Sequence, residues 1–199
     1  MATRKYEKKR RAEQESETRR RIVEAVYALH GEIGPARTTI KAIAERAGVE
    51  RLTVYRHFAD EGAIFAACDA HFRSETPPPN PAAWANIADP AERLFAALVA
   101  FYGFYSRGEN MIANAERDAV GLPALAVVMA PRDAILAAVR EDLLAAWAVG
   151  DRARTRLRAA IAHALRFDTW RSLARIEGLE DAEVAELMVD LARAAAEPR

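Results

Sequence analysis

The sequence contains only one cysteine, Cys68. A single cysteine excludes an intramolecular disulfide and a zinc site built from several cysteines, and it suits a reducing compartment. Long hydrophobic runs are also lacking: the longest uncharged apolar run, residues 94–105, is well short of the roughly 20 residues that a membrane-spanning helix needs. The N-terminus is charged where a signal peptide would be apolar. These absences predict a cytoplasmic protein that does not associate with membranes.

Sequence motifs for catalysis are missing as well. There is no glycine-rich phosphate loop, no His-Glu-x-x-His pattern and no serine at a sharp strand-to-helix turn. The histidines, His30, His57, His71 and His163, lie far apart in the sequence. We therefore predict that the chain is not an enzyme and needs neither a cofactor nor a metal ion.

Neither sign of charge is in excess over the whole chain, because 29 basic side chains balance 29 acidic ones. The charges are, however, unevenly distributed along the chain. The first 60 residues carry 14 basic and 9 acidic side chains, and the remainder carries 15 and 20. A surface that binds a polyanion is therefore expected near the N-terminus.

Hydrophobic residues make up 51% of the chain, and alanine, leucine, arginine and glutamate are plentiful. This composition favours helices, so we predict an all-α fold with an N-terminal three-helix bundle and a C-terminal helical bundle. The predicted divisions are a basic flexible arm (1–18), a first domain (19–73), a proline-rich linker (74–90) and a second domain (91–199). Helices of the second domain are predicted over residues 91–107, 109–119, 122–148, 152–177 and 181–196.

Residues 38–58 have the pattern of two short helices joined by a tight turn. A pair of threonines precedes the first helix and can cap it, and Gly48 can adopt the positive φ that the turn needs. In the second helix Val54 and Phe58 share an apolar side, while other positions are polar or basic. This arrangement is typical of a helix-turn-helix, whose second helix enters the major groove of DNA.

The same stretch resembles the DNA-binding domain of the TetR family of transcription regulators. The residues that carry the resemblance are Thr39, Ile43-Ala44, Ala47-Gly48-Val49 and Thr53-Val54-Tyr55-Arg56-His57-Phe58. The resemblance implies a transcription regulator that binds double-stranded DNA as a homodimer.

The resemblance also implies roles for individual side chains. Phosphate contacts are implied for Thr39, Thr53, Tyr55 and His57, base-edge contacts for Arg51 and Leu52, and either kind for Arg56. Thr38 and Lys41 complete the predicted DNA-binding set. Loss of a bidentate contact from Arg51 to guanine would cost roughly 1–3 kcal/mol of discrimination.

One position departs from the family pattern. Near the start of the fourth helix, where the family usually has a lysine, the sequence has Glu61 after Asp60. Acidic residues suit a helix N-terminus but repel phosphate. The arm is expected to supply positive charge instead, by crossing the DNA backbone or entering the minor groove. Its basic residues are Arg4, Lys5, Lys8, Lys9, Arg10 and Arg11.

The second domain is rich in aromatic and sulfur-containing residues. Such residues either pack a core or line a pocket, and the resemblance implies a pocket for a small-molecule effector that is apolar or aromatic. Pro131 should kink its helix and favour a cavity beside the apolar helix 91–107. Tyr102, Tyr105, Asn114 and His163 are the candidate polar anchors. The full predicted ligand-binding set is Phe101, Tyr102, Tyr105, Met111, Asn114, Met129, Trp147, His163, Phe167 and Trp170.

Each of the last two predicted helices carries an apolar stripe that must be buried against another surface. One stripe is His163, Phe167 and Trp170, and the other is Val184, Leu187, Met188 and Leu191. The resemblance implies that these helices pair with their copies in a homodimer, so the DNA site would be pseudo-palindromic.

The interpretation is a repressor that leaves its operator when a ligand shifts the population of dimer geometries. Activation of transcription, instead of repression, is the alternative mode of control. The alternative is a helical partner-binding or scaffold protein without DNA binding, and it predicts no salt-dependent binding to duplex DNA.

Overall fold

The computed structural model describes residues 2–197, with side chains from Tyr6 to Glu197. Within that range every regular element is helical, which confirms the predicted all-α fold. The α-helices are α1 (Ala2–Glu32), α2 (Ile40–Ala47), α3 (Arg51–His57), α4 (Glu61–Glu75), α5 (Pro90–Ala119), α6 (Pro123–Ala145), α7 (Asp151–Ala164), α8 (Phe167–Arg171) and α9 (Asp181–Ala196). Two 3-10 turns, Pro35–Arg37 and Pro81–Ala83, and a π-helical turn, Ser172–Ile176, complete the described elements.

The chain divides into two compact units. The first comprises the residues up to Glu75 together with Glu109–Met129, and the second comprises Thr76–Gly108 with the residues from Ala130 onward. The predicted domain boundary after residue 73 lies close to the division between Glu75 and Thr76. The segment 109–129, which the sequence pattern places in the second domain, belongs with the N-terminal unit.

Apolar side chains from α1 to α4 form the core of the first unit. Its buried members are Ile22, Ala25, Val26, Leu29, Ile43, Ala44, Ala47, Val54, Phe58, Ile64 and Cys68. Cys68 is 4% exposed, and burial raises the pKa of its thiol to about 12. The thiol is therefore protonated and unreactive at neutral pH.

The core of the second unit is built on the first part of α5. Between Leu94 and Tyr105 only Val99 is exposed, as expected for a helix with apolar residues on every side. Helices α7 and α9 pack against each other in the same unit. Trp84, at the end of the 3-10 turn in the predicted linker, is fully buried, so this segment contributes to the core.

Helix α1 begins at Ala2, so the predicted basic flexible arm (1–18) is helical from that residue onward. Residues 2–21 contain neither proline nor glycine and consist mostly of strong helix formers. Ion pairs one turn apart, Lys9 with Glu13 at 3.7 Å and Arg20 with Glu17 at 2.7 Å, add to that propensity. Local interactions thus extend the helix although residues 6–17 are all exposed.

Two predicted helix boundaries in the second half of the chain are wrong. Helix α5 runs through Gly108, because a lone glycine costs a helix only about 1 kcal/mol. The predicted helix 152–177 is interrupted after Ala164. There the hydroxyls of Tyr102 and Tyr105 donate hydrogen bonds to the carbonyl oxygens of Ala164 and Leu165, at 2.9 and 2.6 Å. These bonds satisfy carbonyls that the end of a helix leaves unpaired.

No single helix among residues 2–197 has the length and apolar composition of a membrane span, although α5 and α6 meet the criteria together as a bent pair.

Candidate functional site

The turn between α2 and α3 has the predicted geometry. Thr39 caps α2, its hydroxyl oxygen accepting a hydrogen bond from the Ala42 amide at 3.1 Å. Gly48 adopts the left-handed conformation, with φ of 64°, and the Val49 amide donates to the Ala44 carbonyl oxygen at 3.0 Å. A residue with a β-carbon would be strained at Gly48, so glycine fixes the direction in which α3 leaves the turn.

Helix α3 is divided into a buried and an exposed face. Val54 is completely buried, and Phe58, just after the helix, is 2% exposed. The outer face carries Arg51, Leu52, Tyr55 and Arg56, all exposed, and the half-buried Thr53 and His57. Leu52 and Tyr55 are 56% and 60% exposed. The face thus combines two cations with two large side chains that offer apolar surface to a partner.

Contacts with α1 fix the position of this short helix. The Arg19 guanidinium donates to the His57 carbonyl oxygen at 2.8 Å and lies 4.3 Å from the centroid of the Phe58 ring. Arg46 of α2 pairs with Glu32 of α1 at 2.7 Å. A helix of seven residues has little stability of its own, so these contacts and the core orient it.

The three predicted contacts around the start of α2 already have partners within the chain. The Thr38 hydroxyl donates to the Gly34 carbonyl oxygen at 2.8 Å, and the Thr39 hydroxyl forms the helix cap. Lys41 lies 3.7 Å from Glu45, but both side chains are more than half exposed. An exposed ion pair of this kind is weak, so Lys41 stays free to exchange Glu45 for a phosphate.

The start of α4 is acidic, as predicted. Asp60 caps the helix, its carboxylate accepting a hydrogen bond from the Ala63 amide at 2.8 Å, and Glu61 is exposed in the first turn. Basic side chains on the exposed part of α1 stand in contrast to this acidic pair. They are Lys8, Lys9, Arg10 and Arg11, whereas the side chains of Arg4 and Lys5 lie outside the described residues.

Two residues of the predicted ligand set, Met111 and Asn114, belong to the first unit. Met111 packs against the core of that unit, and the Asn114 amide donates to the carbonyl oxygens of His30 and Gly31, at 2.8 and 2.9 Å. Met129 is the last residue that the first unit includes. The Asn114 amide therefore satisfies the end of α1, a role that the sequence analysis missed.

Asp118, also in the first unit, is a second residue that the sequence analysis missed. Its carboxylate accepts a hydrogen bond from the Ala36 amide at 2.9 Å and pairs with Arg117 at 2.7 Å. Burial alone would raise its pKa, but the hydrogen bonds from Arg117 and Ala36 hold the pKa below its ordinary value. No sequence signal links Asp118 to Ala36, because 82 residues separate them.

Five aromatic rings of the second unit form a continuous row. Successive centroids from Trp84 to Phe101, Tyr105, Phe167 and Trp170 are 6.1, 6.0, 5.5 and 5.5 Å apart. All five residues are buried. All of them except Trp84 are predicted ligand contacts, and their assignment to a pocket stays a prediction.

The predicted polar anchors of this unit are engaged within the chain or exposed. The Tyr102 and Tyr105 hydroxyls bond main-chain carbonyls, and burial raises the pKa of Tyr102. His163 is exposed, with a ring nitrogen 3.3 Å from the Thr169 hydroxyl. The Trp170 indole donates to the Asp181 carboxylate at 2.8 Å. Trp147, a further member of the predicted set, is half-buried in the same unit.

A helix presented by a glycine turn on a small helical core, with an exposed basic face, defines the class of helix-turn-helix DNA-binding proteins. The family described as bacterial regulatory proteins, tetR family, matches this chain over residues 22–68. The matched segment contains α2, the turn and α3, so it is similar to the DNA-binding region of that family, and the chain is a DNA-binding transcription regulator.

Solved structures of TetR-type regulators have the same fold over most of the chain. A TetR-like transcriptional regulator from Rhodococcus sp. RHA1 is 20% identical, with a TM-score of 0.63, over 88% of this chain and 93% of that one. A tetR-family transcriptional regulator from Streptomyces coelicolor is 18% identical, with a TM-score of 0.61, over 92% and 90%.

NalD, the secondary repressor of the MexAB-OprM multidrug efflux pump in Pseudomonas aeruginosa, is also similar. It is 18% identical, with a TM-score of 0.59, over 92% of this chain and 97% of its own. At these identities the similarity establishes a shared fold. The comparison with curated protein sequences found no match.

Proposed function

We propose that this chain is a cytoplasmic repressor that binds a pseudo-palindromic operator as a homodimer and leaves it when a small apolar or aromatic effector binds the second unit. The observation that supports DNA recognition best is the outer face of α3. No carboxylate among the described residues lies within salt-bridge distance of Arg51 or Arg56 on that face, so both cations are available to DNA. The fold shared with the repressor NalD supports repression as the sign of control.

The roles of the α3 side chains follow from their positions. Arg51 and Leu52 lie in the first turn of the helix, which is the part of a recognition helix that reaches base edges. Arg51 suits guanine, and Leu52 suits the methyl group of thymine. Thr53, Tyr55 and His57 are assigned to phosphates, and Arg56 to either kind of contact.

Homodimer formation is proposed through α9. The structure uses part of the predicted stripe within the chain, since Val184 and Met188 are buried. Leu187 and Leu191, one turn apart, are 39% and 50% exposed and form an apolar strip that a second copy can cover. A two-fold dimer would place two α3 helices in successive major grooves, about one DNA turn apart.

To test DNA binding, the protein is first used to select its preferred sequence from a pool of randomised DNA duplexes. Affinity for that sequence and for an unrelated duplex is then measured across a salt series. We expect a negative slope of log K against log salt, and we expect Arg51→Ala to lose about 1–3 kcal/mol of discrimination. Arg152→Ala, at an exposed arginine of α7 in the second unit, is the matched control and should leave binding unchanged.

Selection of no sequence, together with affinity that does not depend on salt, would contradict DNA binding and favour the scaffold alternative. Equal losses from Arg51→Ala and Arg152→Ala would contradict the role of α3, since the effect would then be one of net charge.

A further inference from the structure

Among the described residues, the second unit contains buried hydrogen-bond donors that lack an acceptor. Among the described side chains, three buried nitrogens have no hydrogen-bond partner: Trp84 Nε1, Arg93 Nε and Trp147 Nε1. All three belong to the second unit, and all three are donors. A buried donor without an acceptor costs about 1–3 kcal/mol, so such atoms are rare in folded proteins, and an acceptor from outside the chain, a water or a ligand, would satisfy them.

Arg93 contacts the main chain next to Trp84. Arg93 Nη1 donates to the carbonyl oxygen of Ala85, the residue after Trp84, at 3.2 Å. Its Nη2 donates to both carboxylate oxygens of Asp142 in α6, at 2.7 and 2.8 Å. The guanidinium is thus held between the segment before α5 and helix α6, with its Nε hydrogen left unused. Trp147 follows Asp142 by five positions, just beyond the end of α6.

The ion pair between Arg93 and Asp142 favours a neutral acceptor over a charged one. The bidentate ion pair with Asp142 already neutralises Arg93, whose side chain is 16% exposed. A second carboxylate would be buried close to Asp142 and repelled by it, whereas a neutral oxygen accepts from N–H donors without adding charge. The neighbouring surface is aromatic, since the Trp84 ring lies 6.1 Å from Phe101.

We propose that the effector is a neutral molecule with a carbonyl oxygen on an apolar or aromatic body, and that the Trp84 indole N–H donates to that oxygen. The hydroxyl hydrogens of the predicted anchors Tyr102 and Tyr105 are donated to main-chain carbonyls, whereas the Trp84 indole N–H has no acceptor among the described residues. Pro81–Ala83 and Ala85, the chain neighbours of Trp84, are exposed, so the segment that carries the indole lies at the surface of the protein. The inference rests on the proposed effector-responsive function and names the chemistry of its ligand.

The chain has only three tryptophans, Trp84, Trp147 and Trp170, and this makes a direct test possible. Protein labelled with ¹⁵N at the indole nitrogen gives one indole N–H signal per tryptophan. Trp170 is an internal reference, because its N–H already bonds Asp181 at 2.8 Å. Tryptophan-to-phenylalanine variants assign the three signals.

The probes are acetophenone, which has a neutral carbonyl group, ethylbenzene, which lacks an acceptor, and benzoate, which is charged. We expect acetophenone to move the Trp84 indole proton downfield in a saturable way, and to leave Trp170 in place. Ethylbenzene and benzoate should produce a smaller shift at Trp84. Trp84→Phe keeps an aromatic ring but removes the donor, so it should bind acetophenone about two- to tenfold more weakly, as for the loss of one hydrogen bond.

Three outcomes would overturn the proposal. The first is that acetophenone shifts the Trp84 signal no more than the Trp170 signal, as when a buried water alone accepts from the indole. The others are a shift with ethylbenzene equal to that with acetophenone, or a shift with benzoate larger than it. The signals of the unaltered chain decide this even if Trp84→Phe does not fold. Because the titration contains no DNA, its failure leaves the DNA-binding result standing, and failure of DNA binding leaves the titration interpretable.

Discussion

His30 illustrates how the fold changes the chemistry of a single residue. The side chain is 3% exposed, and its ring lies 5.7 Å from that of Phe65. Burial lowers the pKa of the imidazole to about 4, although the charge of Asp118 acts in the opposite direction. The folded chain therefore keeps His30 neutral at pH values where the unfolded chain would protonate it.

This pKa predicts a loss of stability in acid. Below the unfolded pKa of 6.5 the unfolded state binds the proton more readily, so the free energy of unfolding falls as the pH approaches about 4. The expected loss is on the order of 3 kcal/mol, which urea denaturation at a series of pH values measures. His30→Phe should remove this part of the pH dependence, while His163→Phe, at an exposed position, should not. Parallel pH profiles for the unaltered chain and His30→Phe would refute the assignment.

Among the elements, α4 begins with a conflict between stability and DNA binding. The Asp60 cap and the exposed Glu61 both favour the N-terminus of the helix through its dipole. The resemblance places a phosphate contact at Glu61, where a negative charge is unfavourable. The chain thus stabilises α4 at the expense of an electrostatic contact with DNA.

Glu61→Lys should reverse this balance. Affinity for the selected duplex should rise, and the slope of log K against log salt should become steeper by about 0.9 for one added phosphate contact. The free energy of unfolding should fall by about 0.3–1 kcal/mol, because a cation is unfavourable in the first turn. Glu61→Gln is the control, since it removes the negative charge without adding a contact. If Glu61→Lys binds DNA no better than Glu61→Gln, α4 does not approach the phosphates.

On the scale of the whole molecule, the proposed DNA site depends on the dimer that we propose to form through the exposed strip on α9. Leu187 and Leu191 are half-exposed, while their neighbours Val184 and Met188 are buried. Complete burial of one leucine is worth about 1.5–3 kcal/mol, so covering this strip contributes appreciably to dimer stability.

The double substitution Leu187→Glu, Leu191→Glu should therefore raise the dimer dissociation constant at least tenfold, as sedimentation equilibrium measures. Affinity for a two-half-site duplex should fall more than affinity for one half-site. Val120→Glu, at a position that is 92% exposed, is the matched control. A dimer that persists unchanged in the double variant would exclude α9 from the interface.

The part of the site that sequence alone predicted is local in origin. The threonine cap and the glycine turn depend on residues a few positions apart, and Thr39 and Gly48 adopt the predicted conformations. The placement of Asn114 and Asp118 against the end of α1 was not predictable, because no periodic pattern links residues more than 80 positions apart. The same holds for Trp84, which composition assigned to a linker and the fold buries.

The sequence by itself determined the helical class, the helix-turn-helix and its basic outer face, since helix periodicity, capping and turn geometry are set by interactions within one or two turns. Only the tertiary structure decided which polar groups are engaged within the chain. Tyr102 and Tyr105 bond carbonyls 62 and 60 residues away, whereas the Trp84 indole N–H has no acceptor among the described residues. Hydrogen-bond partners are assigned by packing, and packing brings together residues that the order of the sequence keeps apart.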